Sequence, residues 1–206
     1  MAPWIPLLVV VPEFIQHCVE INIGMFASRD AARALGADPQ RLLFGYVKVA
    51  GLVAATLAAA GFWARHQGGK VLWRAAAIAV ALNVAATGVM AGLEFAVPDW
   101  TSLDIALSIA TLPLLVLLVG ALFGDRAMTL PQAYRSGWLI AVRLLVLVAA
   151  GWIPLSQLHR FNHLWAMGQA QPLVWGLMVF DALVVGLMAC WVGTAVYRGY
   201  GPTRAE

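Results

Sequence analysis

Long apolar runs alternate with short polar breaks along this chain, and the runs fall at Pro3 to Phe26, Leu42 to Trp63, Leu72 to Phe95, Leu103 to Phe123, Trp138 to Leu158 and Pro172 to Tyr197. Each is close to the roughly 20 residues that a helix needs to cross the hydrocarbon core. None shows the period-two alternation of a tilted barrel strand. The pattern therefore predicts an all-α fold: a polytopic integral membrane protein, a bundle of six transmembrane helices. No long polar stretch separates two halves, so residues 1–206 are expected to form a single transmembrane domain.

The breaks carry their own signals. Ala27 to Arg41, "ASRDAARALGADPQR", has the composition of a short interfacial helix that Ser28 can cap and the Gly36 to Pro39 region can end. "HRFNHLWAMGQAQP", from His159 onward, reads as the last external connection, with His159, Phe161, His163 and Trp165 at headgroup depth, where amphipathic rings are favoured. Small residues crowd the second and third spans, which lets backbones approach closely and places these two in the bundle interior. Six spans put both termini on one side. Cytoplasmic termini leave Arg65, Lys70, Arg74, Arg126, Arg135, Arg198 and Arg204 inside and Arg29, Arg33, Arg41 and Arg160 outside, and this excess of inside cations selects that orientation. The expected location is a bacterial-type inner (plasma) membrane, multi-pass.

Composition agrees with the pattern. Hydrophobic residues make up 62% of the chain and charged residues 11%, against the roughly 25% charged of soluble domains. The net charge of +3 lies at segment ends rather than in one basic run, which argues against nucleic acid and for the bilayer as the surrounding partner. Cys18 and Cys190 sit inside apolar runs and form no disulfide or zinc pattern. The first segment lacks a basic leader and reads as a retained span.

Against this background the polar residues inside the spans stand out. On a helix Glu13, His17 and Glu20 are spaced i, i+4, i+7 and share one face. An unpaired charge there costs about 2.5 kcal/mol or more, so these groups need a partner, a water cavity or a proton. Rise per residue places Glu13, Asn83 and Asp181 near mid-membrane and brings Lys48 to the level of Glu20 and His17, which predicts a Lys48 contact with one of them. Arg143, near the cytoplasmic end of the fifth span, can snorkel or reach Glu13 or Asp181. The expected buried polar network or ion path is thus Glu13, His17, Glu20, Lys48, Asn83, Arg143 and Asp181.

Three functions fit such a network. A structural ion-pair array in a non-enzymatic membrane protein comes first. A proton- or ion-coupled transporter of a small solute is the alternative, since intramembrane ionisable groups mark such paths. An intramembrane metal or acid-base enzyme is the third. Its metal candidates are His17, Glu20, His159 and His163, but the facing spans offer no further histidine, and haem would want a second buried one. No cofactor is expected, and phosphate-loop and hydrolase motifs are lacking.

"TLPQAYRSGWLIAVRLLVL", from Thr129 to Leu147, resembles the polar lead-in and span of bacterial six-helix inner-membrane proteins related to the membrane domain of glycerophosphodiester phosphodiesterases. The resemblance implies a non-catalytic membrane protein and carries over no functional residue.

Overall fold

The structure, a computed structural model, describes residues 2–66, 68–96 and 100–201; within these the side chains of residues 91, 94–96, 100 and 101 are not described. Among the described residues the chain is all-α. Its helices are α1 (Trp4–Asn22), α2 (Arg29–Ala34), α3 (Pro39–His66), α4 (Trp73–Ala96), α5 (Trp100–Phe123), α6 (Leu130–Ser136), α7 (Trp138–Ala166) and α8 (Gln171–Tyr200). Six of them, all but α2 and α6, are long and apolar enough to cross a membrane. The protein is a multi-span helical membrane protein.

Local chemistry sets the boundaries. The chain leaves α1 through Gly24 in the left-handed conformation, at φ 80°. Ser28 accepts a hydrogen bond from the Ala31 amide and caps α2. Asp38 does the same for the amides of Gln40 and Arg41, with Pro39 at the first turn, so α3 begins three residues before the expected Leu42. At the far end of the chain, α7 does not stop at Leu158. Nothing from His159 to Ala166 breaks a helix, and the first left-handed glycine is Gly168, at φ 73°. The stretch expected to be a headgroup-level connection is therefore two further turns of helix.

The chain forms two compact units. The first comprises the chain up to Ala59 together with Val148–Thr194. It packs Val9 of α1, Ala55 of α3 and Val184, Val185, Met188 and Ala189 of α8 into one cluster, and Phe26, Ala166, Val174 and Met178 into another. Lipid supplies no hydrophobic drive for helix association, so these contacts rest on close van der Waals fit. Glycines permit the closest ones. Pro12 has no N–H, which leaves the Leu8 carbonyl without its helical donor, and that carbonyl faces Gly51 of α3. A Cβ at Gly51 would collide with the Leu8 oxygen and lie 3.2 Å from Pro12 Cγ.

The second unit comprises Ala60–Leu147 and the chain from Ala195 onward. Its cores gather Ala60, Ala64, Val116, Val119, Phe123, Ala141, Leu144 and Tyr200 in one place and Ala79, Leu117 and Ala133 in another. Tyr200 Oη donates to Asp125 Oδ2 at 2.7 Å. The small-residue spans α3 and α4 are the least buried of the six and α8 the most, contrary to the interior placement expected for the former pair. Small side chains permit close approach; they do not compel it.

Candidate functional site: a buried histidine and carboxylate centre

The polar face of α1 is buried in the first unit. Glu13, His17 and Glu20 have no exposed surface, and Gln16, between them on the same face, has almost none. Opposite stand Asp181 of α8, also fully buried, and Asn162 of α7, at 1% exposure. His159 and His163 of α7 complete the cluster, partly buried. Their spacing of i, i+4, with Asn162 adjacent, puts all three side chains over the same short reach of helix.

The geometry converges on one carboxylate oxygen. Asp181 Oδ2 lies 2.6 Å from His159 Nδ1, 3.1 Å from His17 Nε2 and 3.4 Å from His163 Nε2. The other oxygen, Oδ1, accepts a hydrogen bond from Asn162 Nδ2 at 2.8 Å. The His163 ring centroid is 5.1 Å from that of His17 and 4.7 Å from that of His159. His17 is held between acids on both sides. Its Nδ1 is 3.0 Å from Glu20 Oε2, and its Nε2 is 3.2 Å from Glu13 Oε1 as well as 3.1 Å from Asp181 Oδ2.

Cations from α3 flank the two glutamates. Arg41 Nε donates to Glu20 Oε1 at 3.0 Å, where Gln16 Nε2 also donates at 2.9 Å, and Arg41 Nη1 reaches the Gly36 carbonyl at 2.8 Å. Lys48 Nζ is 3.4 Å from Glu13 Oε1. The expected contact of Lys48 with Glu20 or His17 is therefore corrected: Lys48 faces Glu13, and Arg41 takes Glu20. Each pair is seven residues apart on its own helix, two turns of each, so α1 and α3 run antiparallel with matched steps. Starting α3 at Leu42 shifts that register and leaves Arg41 in a loop, which is how the expectation went astray.

Two other candidates are not among these contacts. Asn83 belongs to the second unit, half-buried on α4, where Nδ2 donates to the carbonyls of Ala79 and of Leu114 on α5. It is a helix-to-helix clamp. Arg143 is exposed and also belongs to the second unit, so its place in a buried network is corrected; the long stem of arginine gives it an outlet at the protein surface. The stretch Thr129 to Leu147 supplies none of the clustered side chains.

Sequence reasoning missed Gln16 and Asn162, and it placed His159 and His163 in a connection. The signal was present: a helical repeat of His, Asn and His with no glycine or proline before Gly168.

Chemically, the centre is a set of metal-type ligands. Glu13, His17, His163 and Asp181 each offer one donor atom, and those atoms all lie within 4.8 Å of one another. Around a tetrahedral ion with bonds of about 2.0 to 2.1 Å, neighbouring donors sit about 3.3 Å apart. The separations of 3.1, 3.2 and 3.4 Å bracket that value. Among the described residues, four buried atoms of this cluster, Glu13 Oε2, Gln16 Oε1, Asn162 Oδ1 and His163 Nε2, have no hydrogen-bond partner. Buried polar atoms are rarely left so. A carboxylate on Nδ1 is the partner that would fix the tautomer in which His17 Nε2 is the ligand atom for such an ion. Imidazole and carboxylate together suit zinc, iron(II) or manganese better than a purely soft or purely hard site does.

No protein family, curated protein or solved structure matches this chain.

Proposed function

We propose that this is a non-enzymatic, metal-binding membrane protein whose first unit holds one divalent transition-metal ion within the bilayer. His17 Nε2, His163 Nε2, Asp181 and Glu13 are the ligands. His159 supports Asp181 from its own side, and Glu20, braced by Arg41 and Gln16, orients His17. The observation that carries this reading is the placement of His17: Nδ1 is claimed by Glu20, while Nε2 faces carboxylate oxygens of Glu13 and Asp181, the second of which also lies 3.4 Å from His163 Nε2. An ion on Nε2 satisfies all of them at once.

Binding is favoured over catalysis by the closure of the set. Catalytic zinc sites keep one position open, whereas four protein donors complete a tetrahedral shell. Full burial of Glu13, His17 and Asp181 also favours a held ion over a solute passing through. The site lies about 8 Å along α1 from Asn22, so a bound ion would be about one and a half turns inside the end that carries α2.

The test is elemental analysis of protein purified in mild detergent, without chelator and with any affinity tag removed. One zinc, iron or manganese per chain is expected in the native protein, falling to background in His17→Ala and in Asp181→Ala. Addition of the same metal to stripped native protein should raise its melting temperature, by the mass action of a ligand that binds only the folded state. Native protein that retains no metal, and whose melting responds to none of the three ions, overturns the reading and leaves the array as a structural network.

A further inference from the structure

We infer that Lys48 is the counter-ion the metal displaces, so that the centre works by exchanging an internal ammonium for a divalent ion; this rests on the metal-binding reading above.

Charge balance leads there. The centre contains three carboxylates, Glu13, Glu20 and Asp181, and two permanent cations, Arg41 and Lys48. Leaving the imidazoles aside, the sum is one negative charge, and a divalent ion turns it into one positive charge. Surplus charge of either sign is costly inside a bilayer. Withdrawal of one resident cation restores neutrality, and the two residents are not equally held.

Arg41 is anchored twice, at 3.0 Å to Glu20 Oε1 and 2.8 Å to the Gly36 carbonyl, and the carboxylate it holds is the one that orients His17. Removing it would loosen the site. Among the described residues Lys48 has one polar contact, at 3.4 Å, and it is made to Glu13, a ligand of the metal itself. Its side chain is 22% exposed, on a flexible four-carbon stem that can swing its ammonium away along α3. Lysine suits this role because a compact, singly bonded ammonium leaves at little geometric cost, whereas a forked guanidinium does not.

Metal and Lys48 therefore compete for Glu13. Occupation of the centre releases Lys48 from its acid, and an empty centre takes it back. The lysine keeps the vacant site from holding an unpaired carboxylate and sets a threshold below which weakly held ions do not enter.

Two measurements on the full chain in detergent test this. The first is the zinc dissociation constant, from competition with a chromogenic chelator, for native protein, Lys48→Met and Arg41→Met. Losing a competitor bonded to a charged group should tighten zinc about 10- to 100-fold in Lys48→Met. Arg41→Met should weaken it. The second needs no variant. The chain has only two lysines, Lys48 and Lys70, and the rate of acylation of each can be followed by peptide mass spectrometry with and without saturating zinc. Lys48 should become severalfold more reactive with zinc while Lys70 does not change. If native protein binds zinc but Lys48→Met binds it equally or more weakly, or Lys48 labelling does not rise, the exchange is refuted and the metal site stands. If native protein binds no metal, the metal site itself falls. Tightening in Arg41→Met in place of Lys48→Met assigns the displaced cation to arginine and refutes this inference.

Discussion

Replacing Glu20 by glutamine isolates the support of the metal ligand from the ligand itself. Glu20 touches no atom of the proposed ion; it receives three donors, Gln16 Nε2 at 2.9 Å and Arg41 Nε at 3.0 Å on one oxygen, and His17 Nδ1 at 3.0 Å on the other. A glutamine keeps the shape but has one carbonyl oxygen with two lone pairs, and its amide nitrogen can only donate. At least one of the three donors must be stranded, and a hydrogen bond to a charged group is worth about 1.5 to 3 kcal/mol. The bond made by His17 is the one whose loss the metal would feel, since orienting partners of this kind are worth about 10- to 100-fold in affinity. Zinc competition against a chromogenic chelator should therefore show Glu20→Gln weaker by that factor, with the one-to-one stoichiometry kept at saturation. Unchanged affinity in a folded Glu20→Gln protein would refute the claim that Glu20 acts through His17. A loss of all binding would mean that Glu20 is itself a ligand.

Three further outcomes follow from the same coordinates. Arg41→Gln removes the cation beside a fully buried Glu20; such losses cost about 3 to 5 kcal/mol when both partners are buried, and because Arg41 is a quarter exposed the drop in unfolding free energy in detergent should be nearer about 2 kcal/mol. Gly51→Ala forces α3 off the Leu8 carbonyl and Pro12, and unfolding measurements should show a loss of about 1 to 3 kcal/mol, as over-packing usually does. Wild-type stability there would mean that α1 and α3 do not touch at Gly51. Tyr200→Phe deletes the 2.7 Å bond to Asp125 in the second unit, so unfolding should register about 1.5 kcal/mol while metal content stays at the native level; a fall in metal content would contradict the assignment of the centre to the first unit.

How much of this was legible depended on the kind of signal each feature leaves. Apolar runs of membrane length announce themselves, and so does an i, i+4, i+7 set of ionisable residues in the middle of one. Polarity has no such unique meaning at the end of a helix. His159, Asn162 and His163 lower the hydropathy of their stretch as a loop would, although they extend α7 and face its neighbours. Averaging over a window erases the difference between a polar face and a polar loop. Arg41 was obscured differently. It lies just inside the start of α3, where a charge counts as flanking, yet the Asp38 cap begins the helix early enough to aim its guanidinium at Glu20. A slip of three residues at one boundary moved a cation from the site to the surface and Lys48 from one acid to another. The small-residue stripes of α3 and α4 erred for a simpler reason: composition limits how near two helices can come, and says nothing of whether a neighbour is there.

The centre also constrains how the protein can be assembled. Glu13, Gln16, His17 and Glu20 enter the membrane on the first helix, whereas Asp181 and the α7 histidines follow more than a hundred residues later in the chain. Until those arrive, α1 can be relieved only by α3, whose Arg41 and Lys48 neutralise its two carboxylates and whose Gly51 leaves room for the unpaired Leu8 carbonyl. His17 has no such relief from α3. Glu13 and Glu20 contact it from its own helix, and the acid it meets on another helix, Asp181, arrives only with α8. The pair α1 and α3 is thus complete as a charge-balanced hairpin, apart from the one group that the late helices must meet. Asp181→Ala should accordingly leave the α1 and α3 contacts in place while removing the acid that His17 meets on α8, whereas Arg41→Gln strikes the hairpin first. Cysteine cross-linking between positions 16 and 45, where Gln16 Oε1 approaches to 3.9 Å of a Cβ built at Gly45, separates the two: it should persist in Asp181→Ala and fall in Arg41→Gln. The reverse order would mean that the buried centre holds the hairpin together, rather than being received by it.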